Sequence, residues 1–171
     1  MAEVERIVGY NSLTITRNDR EASLMSDTNS KLEIMELFSK YLMCIDERRF
    51  DVFAEIFTES AEVNIPSMLT PERECRGLKE IRDIHTSLFR LIRSSRHMSG
   101  DYIFEVLTDK AAEVRCNVSG CYNSFGPDGG SYATGTAKFS ATMTDNGWRI
   151  QKMRRRTKCS YSFSKDTKIQ E

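Results

Sequence analysis

Residues 132–159 read YATGTAKFSATMT, then DNG, then WRIQKMRRRTKC. Strand side chains alternate between two faces. Ala133, Gly135, Ala137, Phe139, Ala141 and Met143 therefore share one face, and Tyr132, Thr134, Thr136, Lys138, Ser140 and Thr142 share the other. Asp145-Asn146-Gly147 between two such runs is a hairpin signal. Working back from it, Ala111–Asn123 and Met98–Leu107 alternate in the same way. Asp109-Lys110 and the Gly126–Gly130 segment supply the remaining turns. Four long strands in succession, 98–107, 111–123, 132–144 and 148–159, predict an antiparallel meander.

The N-terminal half has the helical period instead. Leu32, Met35, Phe38, Leu42 and Ile45 recur at spacings of three and four, which predicts a helix over Ser30–Glu47. Ser30-x-x-Glu33 fits a capping box at its start. Phe50, Phe53, Ile56 and Phe57 mark a second, short helix. Ala61–Ile65 alternates as a strand that stops at Pro66. A third helix is expected over Leu78–Arg93, with Ile81, Ile84, Leu88, Leu91 and Ile92 on its buried side.

About three N-terminal helices followed by long strands define an α+β fold, with a curved, mostly antiparallel sheet wrapped as a cone around an apolar interior. The expected division is an arm at 1–26, a domain at 27–163 and a polar tail at 164–171. Ser12–Thr16 is a β-prone piece that either pairs with a neighbour or belongs to a disordered arm.

Composition narrows the function. The 171 residues carry 25 Lys+Arg and 25 Asp+Glu, so the formal charge is zero. A nucleic-acid binder normally shows a basic excess. No run approaches the roughly 20 apolar residues of a membrane span, and Met1–Gly9 lacks the apolar core of a signal peptide. Five cysteines without C-x-x-C spacing read as free thiols, mostly small core residues, in a reducing compartment. Cytoplasm is the expected location. No phosphate loop, dinucleotide fingerprint or metal-ligand spacing is present, so neither cofactor nor metal is expected.

There are two histidines. His97 stands where the third helix meets the first long strand, in Ser95-Arg96-His97-Met98-Ser99. It is either a proton-transfer group or a satisfied core or surface residue. His85, within the third helix, reads as structural or surface. Asp46 ends the first helix, where a carboxylate opposes the macrodipole. Such a residue either pairs with Arg48 or Arg49 or has a partner elsewhere. Tyr41 lies roughly 140° from Asp46 around an ideal helix. Small residues around Gly135 either leave room for a pocket or admit a closely packed helix. Arg154, Arg156 and Lys158 face one way and Met153, Arg155 and Thr157 the other. The first group forms a solvated outer face or an anion site.

The run Tyr41-x-x-x-x-Asp46-Glu47-Arg48-Arg49-Phe50-Asp51-x-Phe53-x-x-x-Phe57-Thr58-x-x-Ala61-x-Val63 resembles the opening of SnoaL-like proteins of the NTF2-like superfamily. Arg96-His97-Met98-Ser99, followed by Ala112-Glu113-Val114, is similar to that family's histidine and the strand after it. The resemblance spans about 30–163. It implies a cone-shaped barrel with a deep pocket, assembled as dimers or trimers, and an enzyme of the dehydratase, isomerase or polyketide cyclase type in secondary metabolism. The substrate is then a small hydrophobic or polycyclic molecule.

Carried across, the resemblance implies catalytic roles for Tyr41, Asp46 and His97; substrate contacts are expected at Phe57, Met98, Gly135 and Phe139. Asp46 would set the His97 tautomer and raise its basicity. Tyr41 would donate to a developing enolate oxygen. No carboxylate stands near Gly120 and no histidine follows His97, two departures from some dehydratases. The same fold also serves as the non-catalytic β subunit of ring-hydroxylating dioxygenases and as ligand-binding modules.

Overall fold

The computed structural model describes residues 17–65, 73–124 and 129–164. The Ser12–Thr16 segment, most of the turn before Gly129 and the tail beyond Ser164 lie outside the described residues. Helix α1 runs Arg17–Glu47 and so begins inside the segment expected as an arm. A 3-10 helix at Phe50–Glu55 leads into strand β1, Phe57–Ile65. Strand β2 (Arg73–Arg76) precedes helix α2 (Gly77–Phe89). Strands β3 (Ile92–Leu107), β4 (Ala111–Ser124), β5 (Gly129–Thr144) and β6 (Gly147–Ser164) form the meander.

The six strands make one open sheet in the order β2-β1-β6-β5-β4-β3. Only β1 and β6 pair in parallel; every other neighbour is antiparallel. Bulges bend a sheet by inserting an unmatched residue. One falls in β3 between Gly100 and Ile103, where Asp101 takes a left-handed φ of 54°. Another separates Thr134 from Gly135 along β6. There a Cβ on Gly135 would overlap the Arg156 carbonyl oxygen, so the bulge closes only over a glycine.

The helices cover the concave face. On α1 the buried stripe is Ile34, Leu37, Phe38, Tyr41, Leu42 and Ile45. Leu32, expected in that stripe, is 59% exposed. It lies about 160° round the helix from Ile34, on the solvent side. Phe38 stacks on Phe139 of β5 with ring centroids 4.8 Å apart, and Tyr41 meets Phe57 edge-on at 5.3 Å. Phe57 and Phe139 are thus packing residues of the core, each about 1% exposed.

Helix α2 is shorter than expected. It stops at Phe89, and the chain extends from Ile92 because β3 continues back along β4, pairing Ile92 with Ser124. Leu91 is consequently exposed rather than buried. The α2 face packed against the sheet consists of Ile81, His85 and Leu88.

Candidate active site

The site starts where α1 ends. The last carbonyls of a helix have no partner within it and carry partial negative charge. Arg48, in a left-handed conformation with φ 63°, turns its guanidinium back to satisfy them. It donates to the carbonyl oxygens of Ile45 (2.6 Å) and Asp46 (3.3 Å), and across to the Ile92 carbonyl (3.2 Å) and Ser95 Oγ (3.0 Å). It also lies 4.5 Å over the Phe89 ring. The same cation offsets the dipole penalty on Asp46 and ties the start of β3 to the helix end.

Held in this way, Asp46 receives three hydrogen bonds from β3. Ser95 Oγ donates to Oδ1 at 2.8 Å, the His97 backbone N–H to Oδ2 at 2.8 Å, and His97 Nδ1 to Oδ1 at 2.7 Å. The two side chains are 8% and 1% exposed. Burial pushes the Asp46 carboxyl up, but the bonds from His97 and Ser95 outweigh it and leave the group below its ordinary value. Burial also dominates His97 and pulls its imidazole below the usual value. The hydrogen bond and charge of Asp46 act in the opposite direction without overcoming that effect, which the Arg155 charge reinforces. The expected rise in basicity is therefore outweighed. His97 is a neutral imidazole whose Nδ1 carries the hydrogen and whose Nε2 carries the lone pair.

Two further layers complete the polar floor. Tyr122 of β4 lies 2.9 Å from His97 Nε2 through its hydroxyl. His97 pairs with Gly120 across the β3–β4 ladder. A Cβ on Gly120 would stand 2.6 Å from the Tyr122 hydroxyl and 3.1 Å from His97 Cδ2, so glycine leaves the notch in which the two rings meet. Deeper in, His85 Nδ1 donates to the Ile81 carbonyl at 2.6 Å, and its Nε2 accepts from the Tyr41 hydroxyl at 3.1 Å. Burial drives His85 down to about 4. The Arg155 guanidinium of β6 faces the phenol oxygens of Tyr41 and Tyr122. Burial opposes its charge, and the two phenols more than restore it.

His85, His97, Tyr122 and Arg155 border a cavity of about 350 Å³ between α2 and the sheet. Ile45, Leu88, Val118 and Ala133 supply apolar walls, with His97, Tyr122 and Arg155 as convergent polar groups. Few polar groups in an apolar concavity is the usual form of a small-molecule site. Among the described residues no three His, Cys, Asp or Glu side chains gather as a metal site.

The structure thus brings together Asp46, His97 and the wall residue Gly135. Tyr41 is fully buried beneath the cavity, with its only proton given to His85. Phe57 and Phe139 lie in the core behind it. Met98 points away, 57% exposed, because strand alternation sends it outward when His97 points in. Arg154, Arg156 and Lys158 are exposed; Arg154 lies 3.4 Å from Glu74, and Arg156 contributes to the lining of the cavity. Sequence reasoning missed His85, Tyr122 and Arg155. Their signals were present: Tyr122 has the parity of Val118 and Gly120, Arg155 that of buried Met153, and His85 the helix face of Ile81 and Leu88.

Residues 26–154 match the family model of the SnoaL-like domain. No curated protein matches the chain in sequence. Among solved structures it is similar to a candidate scytalone dehydratase from Novosphingobium aromaticivorans, at 15% identity and TM-score 0.73, covering 81% of this chain and 90% of that one. It is also similar to the hexachlorocyclohexane dehydrochlorinase LinA type 3 of Novosphingobium barchaimii, at 14% identity and TM-score 0.73, covering 86% and 99%. A candidate aromatic ring hydroxylase from Novosphingobium aromaticivorans matches at 19% identity and TM-score 0.69, covering 80% and 94%. At these identities the likeness is one of fold.

Proposed function

The chain belongs to the SnoaL-like domain family, and from that premise we propose that it is a lyase or isomerase working by acid–base chemistry without a cofactor. The observation that carries this reading is the buried His97–Asp46 pair, with Nε2 turned toward an apolar cavity. A neutral imidazole oriented by a carboxylate is a proton acceptor suited to neutral pH. His97 removes the acidic hydrogen next to a substrate carbonyl; the C–H electron pair becomes the C=C bond of an enolate while the C=O π pair moves onto the oxygen. The imidazolium that forms is stabilised by Asp46. The proton then goes to a departing hydroxyl, in a dehydration, or to another carbon, in an isomerisation or cyclisation.

The developing negative charge needs an acceptor. Tyr41 has committed its proton to His85, so we assign this part to Arg155, with Tyr41 fixing the guanidinium from behind. A cavity of about 350 Å³ sits at the small end of ligand pockets, which suits a compact ring compound rather than a large polycycle. Substrate contacts at Gly135 and assembly as a homodimer or homotrimer belong to the same proposal. So does a cytoplasmic enzyme of secondary metabolism.

The test is turnover of a panel of β-hydroxy ketones and β-hydroxy thioesters, followed by the absorbance of the conjugated product. Replacing His97 with Gln should cost about 10²- to 10⁴-fold, the range of general acid–base catalysis. Equal turnover by the variant would remove the pair from the chemistry. The fold shared with a candidate ring hydroxylase favours a second reading, a non-catalytic partner subunit or binding module. On that reading the isolated chain turns over nothing in the panel.

A further inference from the structure

His97 lines the cavity, but neither of its ring nitrogens stands without a partner. Nδ1 is committed to Asp46, and the side chain is 1% exposed. The one hydrogen-bond partner of Nε2 among the described residues is the Tyr122 hydroxyl at 2.9 Å. Since Nε2 bears no hydrogen in this tautomer, the phenol must donate. Tyr122 is less deeply buried than His97 and borders the cavity beside it. It is held from three sides: His97 accepts its proton, Gly120 leaves space for its hydroxyl, and Arg155 faces its oxygen. Its ring meets His97 edge-on at 82° with centroids 5.2 Å apart. A side chain fixed in this way is part of the site rather than a loose cover.

We propose that Tyr122 is a catalytic residue, the group that touches the substrate and relays its proton to and from His97. The inference rests on the acid–base reading above and names the path the proton takes. In the forward step the substrate C–H bond breaks, its electron pair forms the C=C bond of the enolate, and the C=O π pair moves to the oxygen. The proton forms a new O–H bond at Tyr122 while the original phenol O–H breaks and its proton forms N–H at His97 Nε2. Tyr122 ends neutral, His97 ends as imidazolium beside Asp46, and the substrate ends as an enolate. Reversal of the two transfers delivers the proton to a leaving hydroxyl or another carbon. Arg155 stabilises whatever negative charge the phenol oxygen carries while both protons are in flight.

Two measurements on the intact chain test this, each comparing wild type with Tyr122→Phe, which keeps the ring and removes only the oxygen. The first is the NMR titration of His97. Loss of a donor to its neutral form should raise its pKa by about half to one unit, the equivalent of one hydrogen bond. An unchanged titration would show that the phenol does not donate to Nε2 and would overturn the relay. The second is solvent deuterium uptake next to the carbonyl of 4-hydroxy-4-phenylbutan-2-one, with His97→Gln alongside. A fall of at least about tenfold in both variants supports the relay. Wild-type uptake by Tyr122→Phe with loss in His97→Gln overturns the relay and leaves the acid–base reading standing. Retention in both overturns the acid–base reading, and the relay with it.

Discussion

The Nδ1 of His97 and the Oδ1 of Asp46 lie 2.7 Å apart, and the same carboxylate also accepts the His97 backbone N–H at 2.8 Å. One side chain therefore fixes both the ring and the strand that carries it. The second bond matters because it positions β3 against the end of α1 before any chemistry is considered. A carboxylate placed there by a helix terminus is costly, and Arg48 supplies the compensating charge.

Asp46→Asn should separate these roles. The amide preserves size but turns one acceptor into a donor, which then faces either Nδ1–H or the backbone N–H of His97. We expect a stability loss of about 1–3 kcal/mol from the donor left without an acceptor. Turnover should fall by about 10²-fold or more, since the imidazolium loses its counter-charge. Urea unfolding measures the first effect, and kcat on any substrate found in the panel measures the second. A variant with normal turnover would show that Asp46 is only a structural tie.

Stability should also depend on pH through the buried histidines. In the unfolded chain His85 titrates near 6.5, whereas in the folded chain it is held at about 4. Between these values only the unfolded chain takes up the proton, so stability declines as pH falls below about 6.5 and levels off near 4. The decline attributable to His85 is about 2 kcal/mol by pH 5, at about 1.4 kcal/mol per unit. His97, also lowered, acts in the same direction. Asp46, lowered as a carboxylate, adds stability that is lost only as pH falls below its ordinary value. Urea unfolding of wild type and His85→Gln at about pH 7 and about pH 5 measures this. The glutamine should flatten the pH dependence, because it keeps a polar partner for Tyr41 but does not titrate. An equally steep variant would refute the assignment.

Much of this architecture was legible from period alone. Alternation in 98–159 gave the meander, and the apolar stripes gave the helices. The candidate pair His97 and Asp46 was legible through family resemblance and through the oddity of a carboxylate at a helix end. What local pattern does not contain is register. His97 meets Tyr122 because β3 and β4 pair His97 with Gly120, and no spacing within either strand states that pairing. Arg155 belongs to a run of three arginines, and alternation sets it on the face opposite Arg154 and Arg156 without saying that this face borders a cavity. Met98 followed the family motif, but parity decides its direction. The small residues around Gly135 are compatible with a pocket or with a closely packed helix, and neither reading contains its first requirement, the bulge against Arg156.

Gly120 and Gly135 should respond differently to alanine. At Gly120 the added methyl meets the far end of the Tyr122 side chain at 2.6 Å and His97 Cδ2 at 3.1 Å. The ring can swing aside, so the fold should survive with a loss under about 1.5 kcal/mol, while the His97–Tyr122 bond breaks and turnover falls. At Gly135 the methyl meets backbone, the Arg156 carbonyl and the Thr157 Cα, which cannot move without opening the β5–β6 ladder. That substitution should cost about 3 kcal/mol or more. Thermal unfolding of both variants, with the His97 NMR titration on Gly120→Ala, distinguishes a site effect from a packing effect. Equal melting temperatures would contradict the geometry.

Arg48 offers the sharpest separation of backbone from side chain. Its guanidinium serves four oxygen acceptors and the Phe89 face, while its backbone sits at φ 63°, where a Cβ is disfavoured. Arg48→Ala loses every side-chain contact and keeps the backbone penalty, so it should lose about 2–3 kcal/mol. Arg48→Gly loses the same contacts but relieves the left-handed strain, and should be more stable than the alanine variant by about 1 kcal/mol. Arg48→Lys keeps the charge without the fork that reaches both the helix end and Ile92, and should fall between wild type and alanine. Chemical unfolding of the three variants gives the order directly. If alanine and glycine prove equally stable, the left-handed turn after α1 is not held at a cost, and the strength of the Arg48 contacts must be reassessed from the lysine variant alone.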